Sequence, residues 1–253
     1  MNESVHANPS VKINPAGKGP SAGPLYVFKP QLPIITQSLK SLMPGNRRYS
    51  QLHKRAHILA AVRQICAEEG PCNIKIRNLA ERTGVTPPTI YSNLGCREEV
   101  LRQALREAVR GKIELAHNFS AATGIPFPLA YAESTYIAIE KDSDYYGAIT
   151  RAAISNALDR SIVFEITHEI ESAIFKSLEV MHANGRLSQN TLSLQQVARL
   201  MTRQNTSSIS DWVMKNFSVS RLREELVSGA GLLLLAIVNP EEAGAVKKVL
   251  EQL

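Results

Sequence analysis

The stretch IRNLAERTGVTPPTIYSNLGCREEVL, residues 76–101, carries the residue types that a helix-turn-helix requires, at the spacing it requires. Ala80 is small where a second helix must cross the first. Gly84 follows four positions on, where a tight turn needs a residue that tolerates positive φ. Ile90 is apolar six positions further, where the second helix locks onto the first, and Leu79 and Val85 complete a small core. Thr86 is a suitable N-cap, its hydroxyl expected to accept from the amide of Thr89, with Pro87 and Pro88 in the first turn. The outer face of residues 86–93 is then free to lie in a DNA major groove, its N-terminal residues nearest the bases.

Outward from this stretch the chain has helical periodicity in both directions. A helix is expected over Ser50–Glu69, with Leu52, Ala56, Leu59, Ile65 and Cys66 on its buried face, ended by Gly70-Pro71. A short helix over Lys75–Arg82 precedes the turn. A long helix starts near Cys96 with Leu101, Leu105, Val109, Ile113 and Ala116 on one stripe. Further helices are expected at about 127–140, 144–158, 160–183, 192–216, 220–238 and 241–252. No stretch alternates like a strand, so the fold class is all-α. Residues 1–45 hold seven of the thirteen prolines without helical or strand periodicity, and read as a disordered Pro/Gly-rich extension. Residues 46–98 read as a three-helix domain containing the helix-turn-helix, and residues 99–253 as a larger helical bundle.

Charge divides along the same lines. Residues 46–112 hold 13 Lys/Arg against 6 Asp/Glu, a net of +7, whereas residues 113–253 hold 12 against 16, a net of −4. A basic module on a mildly acidic body is the electrostatic footprint of a phosphate binder on a scaffold that does not itself adhere to DNA. Apolar residues make up 44% of the chain, enough to bury a core, and no run approaches a membrane span. No signal peptide is visible, and three cysteines without metal-ligand spacing suit a reducing cytoplasm. Cys66 is expected in the core. Cys96, beside Arg97 at a helix start, has a setting that lowers a thiol pKa, though a small residue tolerated at a cap is the simpler reading.

The run 76–101 resembles the TetR-family motif, in which V-R-x-I-A-x-x-A-G-V precedes S-x-x-T-L-Y-x-H-F and a short Lys-Glu linker. The resemblance extends over residues 50–105, and more weakly over the helix pattern downstream. It implies that Thr86 and Tyr91 hold phosphates on either side of the groove, and that Thr89 contacts a phosphate or base edge. Arg97 matches the basic residue opening the fourth helix, where a phosphate would be held; Arg77, Arg47, Arg48, Lys54 and Arg55 are further phosphate candidates. Pro87, Ser92 and Asn93 lie where base edges could be read, Asn93 alone having an amide that pairs bidentately with adenine. Three positions depart from the family: Pro88 replaces Gly or Ala, Leu94 an aromatic, and Cys96 a Ser or Asn cap.

The resemblance further implies a homodimer on a double-stranded DNA operator, with recognition helices one DNA turn or a multiple apart. The family's commonest mode is a repressor released when a small-molecule effector shifts the fourth helix. The small run Ser228-Gly229-Ala230-Gly231, flanked by apolar residues on all sides, suits helix pairing across the two-fold axis. A ligand-independent DNA-binding regulator or architectural protein controlled by a protein partner is the alternative.

Sequences for a nucleophile elbow, a phosphate loop, a dinucleotide fingerprint and a zinc protease are all absent, so neither an enzyme nor a cofactor is expected. His53 and His57 have chelating spacing but no third ligand, so no metal site is expected. One feature of the body stands out. Val197, Met201 and Trp212 mark an inward stripe, and continuing it reaches Gln204 or Asn205, then Ser208. A buried amide or hydroxyl without a partner costs about 1–3 kcal/mol, so these groups imply an effector, a polar network across a dimer interface, or a break in the helix. His117, Tyr136, Tyr146, His168 and Trp212 are the other expected walls of an effector pocket.

Overall fold

The computed structural model describes residues 47–188 and 192–253, the first four as helix backbone alone. The extension at 1–45 and the side chains of Arg47 and Arg48 lie outside the described residues. Residues 47–253 form one compact unit. Its helices, in chain order, are α1 (Arg47–Glu69), α2 (Ile76–Thr83), α3 (Pro87–Leu94), α4 (Arg97–Thr123), α5 (Phe127–Lys141), α6 (Ser143–Ile154), α7 (Arg160–Ala183), α8 (Leu194–Lys215), α9 (Val219–Leu235) and α10 (Pro240–Leu250). A 3-10 turn, Pro71–Asn73, joins α1 to α2, and the described residues form no strand. The protein is all-α, as its periodicity predicts.

Apolar side chains gather in two cores. The first holds Ile58, Val62, Ile65 and Cys66 of α1, Leu79 of α2, Ile90 and Leu94 of α3, and Val100, Leu101, Ala104 and Leu105 of α4. Tyr145 and Ala152 of α6 and Ile162 of α7 close it, so it extends well past residue 98. The second core lies among α4 to α10 and includes Val109, Ala116, Tyr131, Ile174, Met201, Leu226 and Leu234. Burial on α1 begins only at Ile58: Leu52 is 62% exposed and Ala56 is also exposed, against their expected place on the inner face. Cys66 is fully buried, as expected.

Element ends show where local chemistry overrides periodicity. The helix expected to reach residue 158 stops at Ile154, because Asn156 turns left-handed (φ 56) and the amides of Ala157 and Leu158 fold back on the Ala152 carbonyl. Asp159 then caps α7, accepting from the Ser161 amide at 2.7 Å. Ser193 and Gln196 form a reciprocal capping box at the start of α8. Past α9 the chain is stitched to the loop after α7: Ser188 donates to the Ile237 carbonyl (2.8 Å), Asn239 to that of Arg186 (3.0 Å).

The glycines of α9 allow close contacts within the chain. A Cβ on Gly229 would sit 1.9 Å from Nε2 of Gln204 on α8, and one on Gly231 would sit 2.6 Å from Leu250 of α10. Leu232, on the same helix, is 64% exposed within the chain. Gly229→Ala should therefore displace Gln204 and break its bonds to the Glu225 carbonyl (2.8 Å) and the Ser208 hydroxyl (3.2 Å). The expected loss is on the order of 1–2 kcal/mol in denaturant unfolding. Adding Gln204→Ala should remove the clash and make the glycine substitution nearly neutral; additive losses would show that another contact demands the glycine.

Candidate nucleic-acid interface and effector region

The turn between α2 and α3 is built as its residues demand. Gly84 takes φ 65, Leu79 and Ile90 are fully buried, and Ala80 and Val85 pack partly buried beside them. The Thr83 hydroxyl donates to the Leu79 carbonyl at 2.6 Å and accepts from the Val85 amide at 3.3 Å, holding the turn from within. The Thr86 hydroxyl does not cap α3 as expected. Pro87 and Pro88 bring no N–H to the first turn, and the Thr89 amide closes on the Thr86 carbonyl at 2.9 Å. The two threonine hydroxyls bond each other instead, at 2.9 Å.

On the outer face of α3, Thr86, Pro87, Tyr91 and Ser92 are exposed, and Thr89 and Asn93 are partly buried. Asn93 donates to the Thr89 carbonyl at 2.7 Å and Ser92 donates to the same carbonyl at 3.0 Å. The Asn93 amide thus keeps its oxygen and one N–H for another partner. Arg77 lies exposed on α2, paired loosely with Glu81 one turn on (3.0 Å).

Arg97 has main-chain partners of its own within the chain. Its guanidinium turns inward to the 3-10 turn: Nε donates to the Ile74 carbonyl (2.7 Å), and Nη2 to those of Cys72 (2.6 Å) and Pro71 (3.5 Å). Glu98 and Glu99 fill the first turn of α4, so carboxylates already meet the positive end of that helix. The Glu98 carboxyl is held below the usual range, chiefly by its own backbone N–H. Arg97 is a clasp between α4 and the α1–α2 connection. Its partners lie 23 to 26 residues upstream, beyond the reach of motif reading.

The eight residues expected to wall an effector pocket fall in separate places. His117 and His168 share an open groove of about 600 Å³ between α4 and α7, lined also by Arg110, Phe164 and Glu169. His168 stacks on Phe164, and His117 lies 4.4 Å from the Phe127 ring. Tyr136 donates to Glu140 and sits beneath Arg223, which is itself paired with Glu133 (2.6 Å). Tyr146 lies between Arg63 of α1 and Lys112 of α4. On α8, Gln204 is satisfied by the α9 backbone, Ser208 by Gln204, and Trp212 packs on the second core. Asn205 is 4% exposed, and its Oδ1 is without a partner. The helix does not break here, which removes one of the three explanations for its polar run.

Lys112 was not singled out by its sequence. It is 7% exposed, in a helix whose other basic residues reach the surface. The signal was its place on the Val109–Ala116 stripe, three positions after one and four before the other.

No family model and no curated protein matches the chain, but solved structures do. A regulator assigned to the TetR family from Syntrophomonas wolfei aligns over 72% of this chain and 95% of its own, at TM-score 0.63 and 16% identity. Full-length TylP, a TetR regulator from Streptomyces fradiae, aligns over 82% and 92% at TM-score 0.58 and 19% identity. The fatty acid degradation regulator FadR from Bacillus halodurans aligns over 72% and 94% at 0.57 and 20%. The chain has the fold of the TetR-type transcriptional regulators.

The clasp reading of Arg97 makes a specific prediction. Arg97→Ala should lower unfolding stability by about 1–3 kcal/mol, because three main-chain carbonyls lose a charged donor. Arg97→Lys should recover only part, since an ammonium cannot span the carbonyls as the planar fork does. Unchanged stability in the alanine variant, with a lowered salt dependence of DNA binding, would return Arg97 to the phosphate role.

Proposed function

We propose that the chain is a TetR-type DNA-binding transcriptional regulator, a repressor that leaves its operator when an effector enters the body. The observation that carries this reading is α3: a helix seated by Leu79, Gly84 and Ile90, with Thr86, Pro87, Tyr91 and Ser92 turned to solvent. A groove-reading helix needs that arrangement, inner face locked and outer face polar and accessible. The excess of basic residues over 46–112 supports it by supplying charge for the phosphates.

Within this proposal Tyr91 and Arg77 hold phosphates, Thr86 and Thr89 keep the first turn of α3 in shape, and Asn93 reads a base. Pro87 and Ser92 approach base edges. Residues 46–98 act as the DNA-binding domain and 99–253 as the effector and dimerisation domain. The active species is a homodimer. Exposed apolar side chains on the last long helices, Met214 of α8 and Leu232 of α9, favour such pairing.

Coupling between the parts runs through α4. Arg102 and Arg106 pair with Glu165 (3.5 and 2.8 Å) and Arg110 with Glu169 (2.8 Å), tying α4 to α7 along several turns. An effector that changes how α4 lies against α5 and α7 moves α2 and α3 with it, since they share the first core.

Anisotropy titrations over a range of salt concentrations test the assignment. Arg77→Ala should weaken binding to all duplexes alike and lower the salt slope by about one. Asn93→Ala should change base preference at one position per half-site, at about 1–3 kcal/mol, with the slope unaltered. If Arg77→Ala shifts sequence preference instead, or both variants bind as the parent does, the interface lies elsewhere.

A further inference from the structure

Lys112 is a charge in a place that does not suit a charge. Its stripe of α4 carries Val109 and Ala116, and its ammonium faces two aromatic rings, Tyr131 of α5 at 5.8 Å and Tyr146 of α6 at 5.4 Å. It has no hydrogen-bond or ion-pair partner among the described residues. Two carboxylates whose charge reaches the tyrosines of this cluster are taken: Asp142 by Arg63 (2.9 Å) and Glu169 by Arg110 (2.8 Å). Aromatic faces attract an ammonium, but they do not replace the hydration it has lost. Desolvation accordingly pulls its pKa from 10.5 to about 8.

Unspent hydroxyls lie alongside. Tyr131 is 1% exposed and Thr135, one turn on along α5, is 0% exposed, and their hydroxyls have no partner except each other. Buried polar groups in folded proteins are ordinarily satisfied, and an unpaired ammonium beside two hydroxyls that have only each other calls for a further partner. That partner must accept hydrogen bonds, carry negative charge and tolerate apolar walls.

We propose that Lys112 anchors a carboxylate-binding site inside the helical body, with Tyr131 and Thr135 as neighbouring donors and an apolar tail of the acid against α4 and α5. One ammonium balances one carboxylate, whereas a phosphate dianion would be left undercompensated. A charge-assisted bond to a buried ammonium is also among the stronger ones available. The site deepens the reading of the body as an effector domain, because Lys112 sits on α4, the helix that reaches the DNA-binding core. Tyr146, one of the expected pocket walls, belongs to it; Gln204 and Ser208, already satisfied within the chain, do not.

The test uses full-length protein labelled with ¹³C and ¹⁵N at lysine, the Lys112 signal being the one missing from Lys112→Met. It is titrated with acetate, butyrate and hexanoate, and with the matching neutral amides. The acids should move the Lys112 signal saturably while the amides do not, with affinity rising roughly fourfold per added methylene that is buried. Acid affinity should fall as pH rises above about 8, where the ammonium discharges. The charged groups in this neighbourhood are Arg63, Asp142 and Glu169; the Arg63 pKa is raised, and burial raises those of Tyr131 and Tyr146, so none of these three discharges or ionises in step with the ammonium.

Lys112→Met gives an independent reading from stability. The folded pKa lies below the unfolded one, so the unfolded chain binds more protons between about 8 and 10.5, and parent stability rises with pH there. The methionine variant should thus melt higher than the parent below pH 8, and this advantage should fade toward pH 10.5. A Lys112 signal indifferent to every acid, equal responses to acids and amides, or a variant that melts lower at neutral pH would each overturn the site. Acid binding by a protein that has no affinity for any duplex would uphold the site and overturn the regulatory reading instead.

Discussion

Helix α4 has to keep two separate sets of side chains dry at once. Val100, Leu101, Ala104 and Leu105 are buried against the helix-turn-helix and α1, while Val109 and Ala116 are buried in the body. A helix of 27 residues spans about 40 Å and does not bend cheaply, so neither core can form around it without setting where the other begins. The Arg97 clasp at its start and the arginine pairs along its length hold it in that position. This arrangement makes one helix both the floor of the helix-turn-helix core and a wall of the body.

Local chemistry was legible in the sequence and long-range partnership was not. Gly84, Leu79 and Ile90 lie within twelve positions of each other, and their roles follow from spacing alone. The helices of the body were legible too, because apolar stripes and breakers such as Gly124-Ile125-Pro126 are local signals. The carbonyl partners of Arg97 were not legible, because a basic residue at a helix start suits a phosphate and a set of carbonyls equally well. Only the fold brings residues 71–74 to it. Likewise Gly229 and Gly231 announce a close approach, but the sequence does not say to what. The fold answers with Gln204 and Leu250.

The polar content of the body was partly legible. The stripe on α8 leads inward to Gln204 or Asn205, then Ser208, and the structure finds partners within the chain for Gln204 and Ser208, while Asn205 keeps an unpaired oxygen. Lys112 was hidden by composition, since Arg102, Arg106 and Arg110 make it look like one more surface charge on a basic helix. What distinguishes it is that no carboxylate pairs with it among the described residues, and that depends on which acidic residues the fold has already given to arginines.

Selection of bound duplexes from a random-sequence DNA library by the purified full-length protein, followed by sequencing, tests the central claim most directly. The account predicts enrichment of an inverted repeat whose half-sites are centred one helical turn or a multiple apart, as two copies of α3 on a symmetric dimer require. Enrichment of a single unpaired half-site, or none beyond the sequence-independent binding that a basic surface gives, would contradict it.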